Sequence, residues 1–459
     1  MSETNKNFGS FRDPSGFVFE SGESVFRTIN ESYRVHYEKW ISSGLAKNLV
    51  EKGWIPPFHE EETPLAQSWK TLCVERIPFI SYPYEWSFKQ LKEAAILTLR
   101  LHLESLRSGM ILKDASAYNV QFFKGKPVFI DLLSFETYKE GMPWIAYRQY
   151  ISHFLGPLLL MSRNDSRQLL QMRNFLDGLP VDYISNSLPW KTWFSPSILL
   201  NIHWHAKLLK KHADTKSEHE KAVRPISLSA HINMIEGLLD LTRNIKDSVR
   251  ETEWGDYYND TNYDDASFKR KGELIHQICS EIQPKIICDL GANLGEFSRI
   301  FAKHAEVVLS PDIDPVAVNK NYTLVRKNKE TNIYPLVQDL CNPSPAIGWM
   351  NEERKSFIER AKCDLAAGLA LIHHLCIGNN LPLDYVARFF YALAPNVIVE
   401  FVPREDSQVK RLLSSREDIF PDYHLEGCIE SFAKYYGQWE QFPIEGTTRT
   451  ILFFSKRLD

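Results

Sequence analysis

Paired cysteines and long apolar runs are the features that this 459-residue sequence lacks most clearly. Its seven cysteines form no C-x-x-C pair and lie mostly within apolar runs, which is typical of reduced core thiols rather than of a disulfide framework. The longest apolar patch, FLGPLLLM at 154–161, is far too short to span a bilayer, and the first residues lack the apolar core of a signal peptide. We therefore expect a cytoplasmic protein without membrane insertion.

An excess of basic residues is missing as well. The chain has 54 lysines and arginines against 58 acidic residues, so its formal net charge is -4. A protein that binds a polyanion needs a cationic surface, and we therefore expect no obligate nucleic-acid partner. The length exceeds what one hydrophobic core usually serves, which predicts at least two domains.

The most informative segment is KIICDLGANLGEFSRIFAKHAEVVLSPDIDP, at 285–315. The apolar run Ile286 to Cys288 is short and bounded by Pro284 and Asp289, which predicts a buried parallel strand. Glycines at 291 and 295 then permit positive φ angles and a close approach of the backbone to a ligand, and Asn293 tolerates left-handed geometry. This order of elements predicts a nucleotide-type ligand site.

Asp312 follows Gly291 by 21 residues and ends a second apolar strand. At that separation a carboxylate can reach both ribose hydroxyls of a nucleotide, and Asp314 is a rival for the same role. A dinucleotide site needs glycines near 293 and 296, but this chain has Asn293 and Glu296, and an acid beside a pyrophosphate would repel it. NAD is therefore disfavoured.

This segment resembles motifs I and II of the class I S-adenosylmethionine (SAM) dependent methyltransferases, in which D-x-G-x-N-x-G is a familiar variant. Three downstream segments resemble later motifs of that family in the same order: QDLCN at 338–342, CDLAAGLALIHHL at 363–375 and NVIVEFVP at 396–403. The resemblance implies an α/β, Rossmann-like domain with a mixed seven-stranded sheet and helices on both faces. It also implies SAM as the cofactor.

Matched position by position, the resemblance implies these cofactor-binding residues: Asp289, Gly291, Asn293, Gly295, Asp312 and Asp339. Methyl transfer from a sulfonium depends largely on positioning and desolvation, so a dedicated base is optional. Substrates enter such sheets at the carboxyl ends of the strands, where His373 or His374 is a candidate base. The same histidine pair is typical of helix-start packing in the family. Glu400 is a candidate substrate contact or a cap of the next helix.

The N-terminal half carries a second signal in GMILKDASAYNVQFFKGKPVFIDLLSFE, at 109–136. Ser87 and Gly109 predict the start and end of a long helix before it. The loop resembles the catalytic loop of protein-kinase-like folds, because Asn119 follows Asp114 by five residues and Asp131 follows an apolar strand. The resemblance implies Asp114 as the base that accepts the substrate proton, and Asn119 and Asp131 as magnesium ligands beside ATP.

This half also departs from the kinase pattern. Lys113 replaces the usual arginine or histidine, Leu132 and Leu133 replace Phe-Gly, and no G-x-G-x-x-G loop is present. A hairpin at 15–29, with glycines at 16 and 22, is a candidate cover for a nucleotide, and Arg27 is the candidate cation. An ordinary surface loop followed by a buried strand is the alternative.

The sequence therefore predicts an α+β kinase-like domain or pseudokinase at 1–206, a helical linker at 207–262 and a methyltransferase domain at 263–459. Tyr257, Tyr258 and Tyr263 either cover the cofactor or pack on a surface. The leading hypothesis is a SAM-dependent methyltransferase that acts on a glycan, a phosphorylated glycan or a small molecule. The alternatives are a bifunctional kinase-methyltransferase and a non-catalytic SAM-binding scaffold with a pseudokinase domain.

Overall fold

The computed structural model describes residues 5–6, 8–63, 68–214, 225–247, 265–414 and 416–458. The chain divides into a first unit, Met1–Val249 with Ile347–Arg354, and a second unit, Arg250–Ala346 with Lys355–Asp459. One boundary falls within 207–262, the segment predicted as a linker, whereas Ile347–Arg354, which lies within the predicted methyltransferase domain, groups with the first unit. No described helix combines the length and the apolar content that crossing a bilayer requires.

The first unit begins with a five-stranded antiparallel sheet of order β1-β2-β3-β5-β4. The predicted hairpin is β2–β3, and Gly22 takes a φ of +60° at its turn. Gly16 is not at a turn, but a Cβ there would lie 1.9 Å from the Thr28 carbonyl oxygen, so glycine permits close packing. The elements are β1 (Asn5–Lys6), β2 (Val18–Ser21), β3 (Ser24–Ile29), α1 (Arg34–Ser42), α2 (Leu45–Glu51), β4 (Phe58–Glu60) and β5 (Lys70–Val74).

The long helix predicted after Ser87 is α3 (Phe88–Arg107). Ser87 and Gln90 form a capping box at its start, and Gly109, with a φ of +70°, follows its end. Short strands then pair as β6–β9 and β7–β8 and hold the predicted catalytic loop between them. These strands are β6 (Met110–Leu112), β7 (Val120–Phe123), β8 (Lys126–Phe129) and β9 (Phe135–Thr137).

The rest of the first unit is helical, which makes it an α+β unit. Its helices are α4 (Tyr147–Tyr150), α5 (Gly156–Arg163), α6 (Val181–Ser187), α7 (Pro196–Ile198), α8 (His205–Asp214) and α9 (Leu228–Asn244). π turns at Ile151–Leu155 and Leu199–Trp204 join α4 to α5 and α7 to α8. Helix α9, from the predicted linker, packs on α3, where the Nε2 atoms of His231 and His102 lie 3.1 Å apart.

The second unit is a seven-stranded sheet of order β12-β11-β10-β13-β14-β16-β15. Strands β10 to β14 are parallel and β16 is antiparallel to both neighbours, which confirms the predicted mixed sheet. Its strands are β10 (Ile286–Leu290), β11 (Val307–Asp312), β12 (Ile333–Val337), β13 (Leu365–Gly368), β14 (Asn396–Phe401), β15 (Tyr436–Pro443) and β16 (Thr450–Arg457).

Helices connect these strands and cover the sheet. They are α10 (Asp265–Ile282), α11 (Glu296–Phe301), α12 (Pro315–Asn328), α13 (Phe357–Arg360), α14 (Leu383–Leu393), α15 (Ser407–Leu413) and α16 (Leu425–Ala433). The core between α10, α11 and the central strands contains Ile275, Ile287, Phe301, Val308 and Leu365, each almost fully buried. Burial of such side chains stabilises this layer by roughly 1.5–3 kcal/mol each. The parallel order brings the carboxyl ends of β10, β11, β12 and β13 to one edge.

Candidate functional site

The loop after β10 has the backbone conformation that its glycines predict. Gly291, Asn293 and Gly295 have φ angles of +73°, +49° and +77°. A Cβ at Gly295 would lie 2.6 Å from the side-chain amide of Asn321, so no larger residue fits without displacing that side chain. The loop therefore presents bare backbone at the carboxyl edge of the sheet.

Asp312 is the last residue of β11 and lies beside this loop. Its Oδ2 accepts a hydrogen bond from the Asn293 backbone N–H at 2.8 Å, and its Oδ1 accepts one from the Asp314 N–H at 2.9 Å. Burial raises the pKa of Asp312 to about 6, and the backbone donors partly oppose that rise. The carboxylate is thus held in place and remains charged at neutral pH.

Asp314, the rival for the same role, has a different local function. Its Oδ1 accepts from the Val316 N–H at 2.8 Å and so caps the N-terminus of α12. Pro315 occupies the first helical position, which suits this cap. Asp312 therefore accepts a hydrogen bond from the glycine loop, and Asp314 caps α12.

Asp289 is buried within β10. Ser298 donates to its Oδ2 at 2.6 Å, and the same hydroxyl lies 2.8 Å from the Ser310 Oγ. Burial raises the pKa of Asp289 to about 6, with Ser298 acting in the opposite direction. Sequence reasoning did not identify Ser298, because a single serine in a helix carries no distinguishing pattern.

Asp339 lies two residues beyond the end of β12 and is half-buried. Its Oδ1 accepts from the Cys341 N–H at 2.8 Å, which shapes the turn after the strand. The six residues that the methyltransferase resemblance implies thus lie along three adjacent strands, β10, β11 and β12, at or near their carboxyl ends. That arrangement can hold a flat, hydroxyl-bearing ligand across the edge of the sheet.

A buried ion network lies in the same unit and includes Glu400. The two Glu400 oxygens accept from Lys271 Nζ at 2.5 Å and Arg449 Nη1 at 3.1 Å, and Arg449 Nε donates to Asp406 at 2.8 Å. All four side chains are at most 4% exposed. Glu400 thus forms ion pairs through both oxygens. Sequence reasoning missed its partners because they lie 129 and 49 residues away along the chain.

The two histidines after β13 are packed against each other, with ring centroids 4.0 Å apart. Burial holds the pKa of His373 well below its usual range and lowers the pKa of His374 to about 4. Neither ring nitrogen of His373 has a hydrogen-bond partner among the described residues. Imidazoles with such low pKa values are neutral at pH 7 and are weak bases.

The predicted kinase-like residues of the first unit lie on neighbouring segments, since the Ile130 N–H donates to the Asn119 carbonyl and the Lys113 N–H to the Ser134 carbonyl, both at 2.8 Å. Burial raises the pKa of Asp114, and the nearby Asp131 carboxylate raises it further. The Ser116 N–H donates to Asp114 at 2.8 Å, whereas the buried Asn119 amide nitrogen has no hydrogen-bond partner among the described residues. Asp114, Asn119 and Asp131 therefore flank the short strands β6, β7 and β8.

Arg27 is part of this site. Its Nη2 donates to Asp131 Oδ1 at 3.1 Å and also pairs with Asp13, while its side chain is only 8% exposed. A metal ion at Asp131 would compete with this guanidinium for the same oxygen. Sequence reasoning identified Arg27 only as a candidate cation, and the structure places it beside the predicted metal ligand.

A cavity of about 670 Å³ adjoins this cluster in the first unit. Lys113, which precedes Asp114, lines it together with Arg148, Gln149 and Asp177. The cavity is large enough for a small polar molecule, and its two cations favour an anionic or hydroxyl-rich one. Tyr257, Tyr258 and Tyr263, predicted as a cofactor cover, lie outside the described residues.

The chain is 34% identical over 457 residues to the nodulation protein NoeA of Rhizobium meliloti (strain 1021), and the match covers 98% of this chain and 95% of NoeA. No family model matches the chain.

Several solved structures are also similar to this chain, at lower sequence identity than NoeA. A co-crystal structure of WbdD, called a bifunctional kinase-methyltransferase, matches with 19% identity and a TM-score of 0.31, over 43% of this chain and 42% of that chain. The N-methyltransferase NodS from Bradyrhizobium japonicum WM9 matches with 14% identity and a TM-score of 0.31, over 43% of this chain and 100% of NodS. At these identities and TM-scores the likenesses carry no argument about function.

Proposed function

We propose that this chain, which belongs to the family of the nodulation protein NoeA, is a SAM-dependent methyltransferase whose second unit is catalytic. The observation that carries the proposal is the position of Asp312, held by the Asn293 N–H beside a loop of three positive-φ residues. Bare backbone there leaves room for a nucleoside, and a buried carboxylate is the acceptor that paired ribose hydroxyls require.

The chain's own residues fit that cofactor. Gly291 and Gly295 keep the loop free of side chains, and Asp312 supplies the acceptor for the ribose. Asp339, at the next strand end, is placed to accept from an adenine amino group. The cofactor, when bound, supplies a methyl group already activated by the positive sulfonium. The protein then has to orient the acceptor and exclude water, and a strong base is not required.

Titration of SAM into the full chain is expected to give saturable heat for one site. The affinity should be constant above about pH 7 and should fall as the pH drops below about 6, because the pKa of Asp312 is raised to about 6 and only the ionised carboxylate accepts both hydroxyls. The decrease should approach roughly tenfold per pH unit when one proton must be released. Calorimetry over this pH range measures it.

Asp312→Asn provides the control, since its affinity should be weaker and nearly independent of pH. The proposal fails if the natural chain gives no heat with SAM and shows no protection from thermal unfolding. It is also contradicted if Asp312→Asn binds SAM as tightly as the natural chain and with the same pH profile.

A second candidate function, phosphoryl transfer by the first unit, is favoured by the position of Asp114, Asn119 and Asp131 around the hydrogen-bonded short strands β6 to β8. In a bifunctional enzyme the first unit phosphorylates a glycan or small molecule, and the second unit methylates that product. Asp114 would accept the proton of the substrate hydroxyl as that oxygen bonds to the γ-phosphorus of ATP and ADP leaves, and Asn119 and Asp131 would hold the magnesium ion that neutralises the phosphates. We place both steps in the cytoplasm, in keeping with the free cysteines.

For this second function we expect magnesium-dependent ATP binding that Asp131→Asn weakens at least tenfold, because a neutral amide replaces the anionic ligand of the metal. Calorimetry with and without magnesium measures the difference. Asp240→Asn, in an exposed part of α9, is the matched control and should bind ATP normally. If the affinity for ATP is the same with and without magnesium and is unchanged in Asp131→Asn, the result would instead support a pseudokinase that serves as a scaffold.

A further inference from the structure

An exposed apolar surface lies on the first unit, and its residues follow the Asp114 segment by more than 50 positions in the sequence. It consists of six large side chains that are between 37% and 76% exposed: Trp190, Trp193, Phe194, Leu200, Trp204 and Leu208, here called the aromatic patch. Soluble proteins rarely expose contiguous apolar surface of this kind without a partner, because its burial is favourable. The aromatic patch therefore indicates an interaction surface.

The helix that runs from α7 through the π turn into α8 has two apolar faces. Ile198, Ile202 and Ala206 are buried in the unit, and each is four residues from the next. Leu200, Trp204 and Leu208 repeat with the same spacing two residues later and are exposed. Side chains four apart share one face of a helix, so the second series forms a stripe that the described residues of this unit leave exposed.

Ring and cation contacts join the two segments that carry the aromatic patch. The rings of Trp190 and Phe194 lie 5.7 Å apart, and Trp193 stacks on His203 at 4.2 Å. The Lys207 Nζ lies 4.7 Å from the centre of the Trp193 ring. This last contact joins the 3₁₀ helix Trp190–Phe194 to α8 and places a positive charge at the border of the apolar surface.

Charge distinguishes this region from the rest of the chain. No aspartate or glutamate occurs at 183–213, although the whole chain has more acidic than basic residues. The same stretch contains four exposed lysines, at 191, 207, 210 and 211. Lysine is depleted from the cores of protein–protein interfaces, whereas tryptophan, phenylalanine and leucine bordered by lysine are typical of helices that lie in a membrane interface.

We propose that the aromatic patch docks the first unit on the surface of an anionic lipid bilayer. Trp190, Phe194 and Trp204 enter the boundary between headgroups and acyl chains, and the lysines contact the lipid phosphates. This attachment is peripheral and reversible, and it requires no helix that crosses the membrane. It also does not depend on either proposed activity, because the aromatic patch contains none of the cofactor-binding residues.

The test is flotation of the full chain with vesicles of phosphatidylcholine, prepared with and without phosphatidylglycerol. We expect binding only when phosphatidylglycerol is present, and weaker binding as salt is added. The double variant Lys207→Gln, Lys211→Gln should lower the partition coefficient roughly 25-fold, about fivefold for each lysine near an anionic surface. Phe194→Ser with Trp204→Ser should abolish flotation without changing circular dichroism.

Trp349→Ser is the matched control, since this tryptophan is 62% exposed but lies outside the aromatic patch, and the variant should float like the natural chain. The lysine variant is expected to fold normally, because both of its altered side chains are exposed, so weaker flotation of this variant would not be due to unfolding. Absence of flotation, or flotation that the Phe194→Ser, Trp204→Ser variant retains, overturns the proposal. So does a dimer in sedimentation that Trp204→Ser converts to monomer, since the aromatic patch would then bind a second copy.

Discussion

Glu400→Ala is expected to lower the free energy of unfolding of the second unit by about 3–5 kcal/mol, the usual cost of removing one partner from a buried ion pair. The substitution leaves Lys271 and Arg449 buried without the carboxylate that accepts from both. Arg449 keeps its ion pair with Asp406. The Arg449 guanidinium cannot lose a proton, so its positive charge remains in the core. Denaturation by urea, followed by circular dichroism, measures the loss.

Glu273→Ala supplies the comparison for this stability effect. Glu273 pairs with Arg270 on the exposed surface of α10, where both side chains are about half exposed. Exposed pairs of this type contribute at most about 0.5 kcal/mol. If Glu400→Ala and Glu273→Ala changed stability equally, the buried network would not have the structural role assigned to it. The loss of stability in Glu400→Gln should lie between the losses in Glu400→Ala and Glu273→Ala, because glutamine keeps the shape of the side chain and lacks its charge.

Asp312→Ala is expected to weaken SAM binding by about 10²–10⁴-fold. The carboxylate would accept two charge-assisted hydrogen bonds from the ribose, each contributing about 1.5–3 kcal/mol, and alanine removes both. Methyl transfer at limiting SAM should fall by the same factor. Calorimetry with SAM, together with circular dichroism to verify folding, measures the change.

The neighbouring acid gives a control for this binding effect. Asp314→Ala removes the cap of α12 and should cost about 1 kcal/mol of stability, with little change in SAM affinity. The reverse outcome, a large loss of affinity in Asp314→Ala and none in Asp312→Ala, would assign the ribose to Asp314. Both variants change one buried carboxylate at the same strand end, so the comparison isolates the contact with the ligand.

The second unit was the more predictable part of the chain because its signals are local. A short apolar run bounded by Pro284 and Asp289 predicted β10, and the spacing of Gly291 and Gly295 predicted the positive φ angles that the structure shows. Such patterns depend on backbone geometry within a few residues, which a sequence displays directly. The ordered motifs also predicted the mixed seven-stranded sheet.

The interactions of the candidate residues were less predictable because they join distant segments. Nothing near Glu400 in the sequence indicates Lys271 or Arg449, and nothing near Asp131 indicates that Arg27, 104 residues earlier, pairs with it. The roles of Asp312 and Asp314 could be distinguished only from their hydrogen bonds, since Asp312 accepts from the loop and Asp314 caps the helix.

The sequence by itself therefore determined the strand and the loop of the candidate SAM site, since both follow from local spacing and from the backbone freedom of glycine, and its resemblance to a family implied the acids. The tertiary structure decided which charges are buried in pairs, which histidines are neutral and which apolar face of the helix at 196–214 remains exposed. The physical reason is that burial and pairing depend on which elements pack together, and packing is set by topology rather than by neighbouring residues.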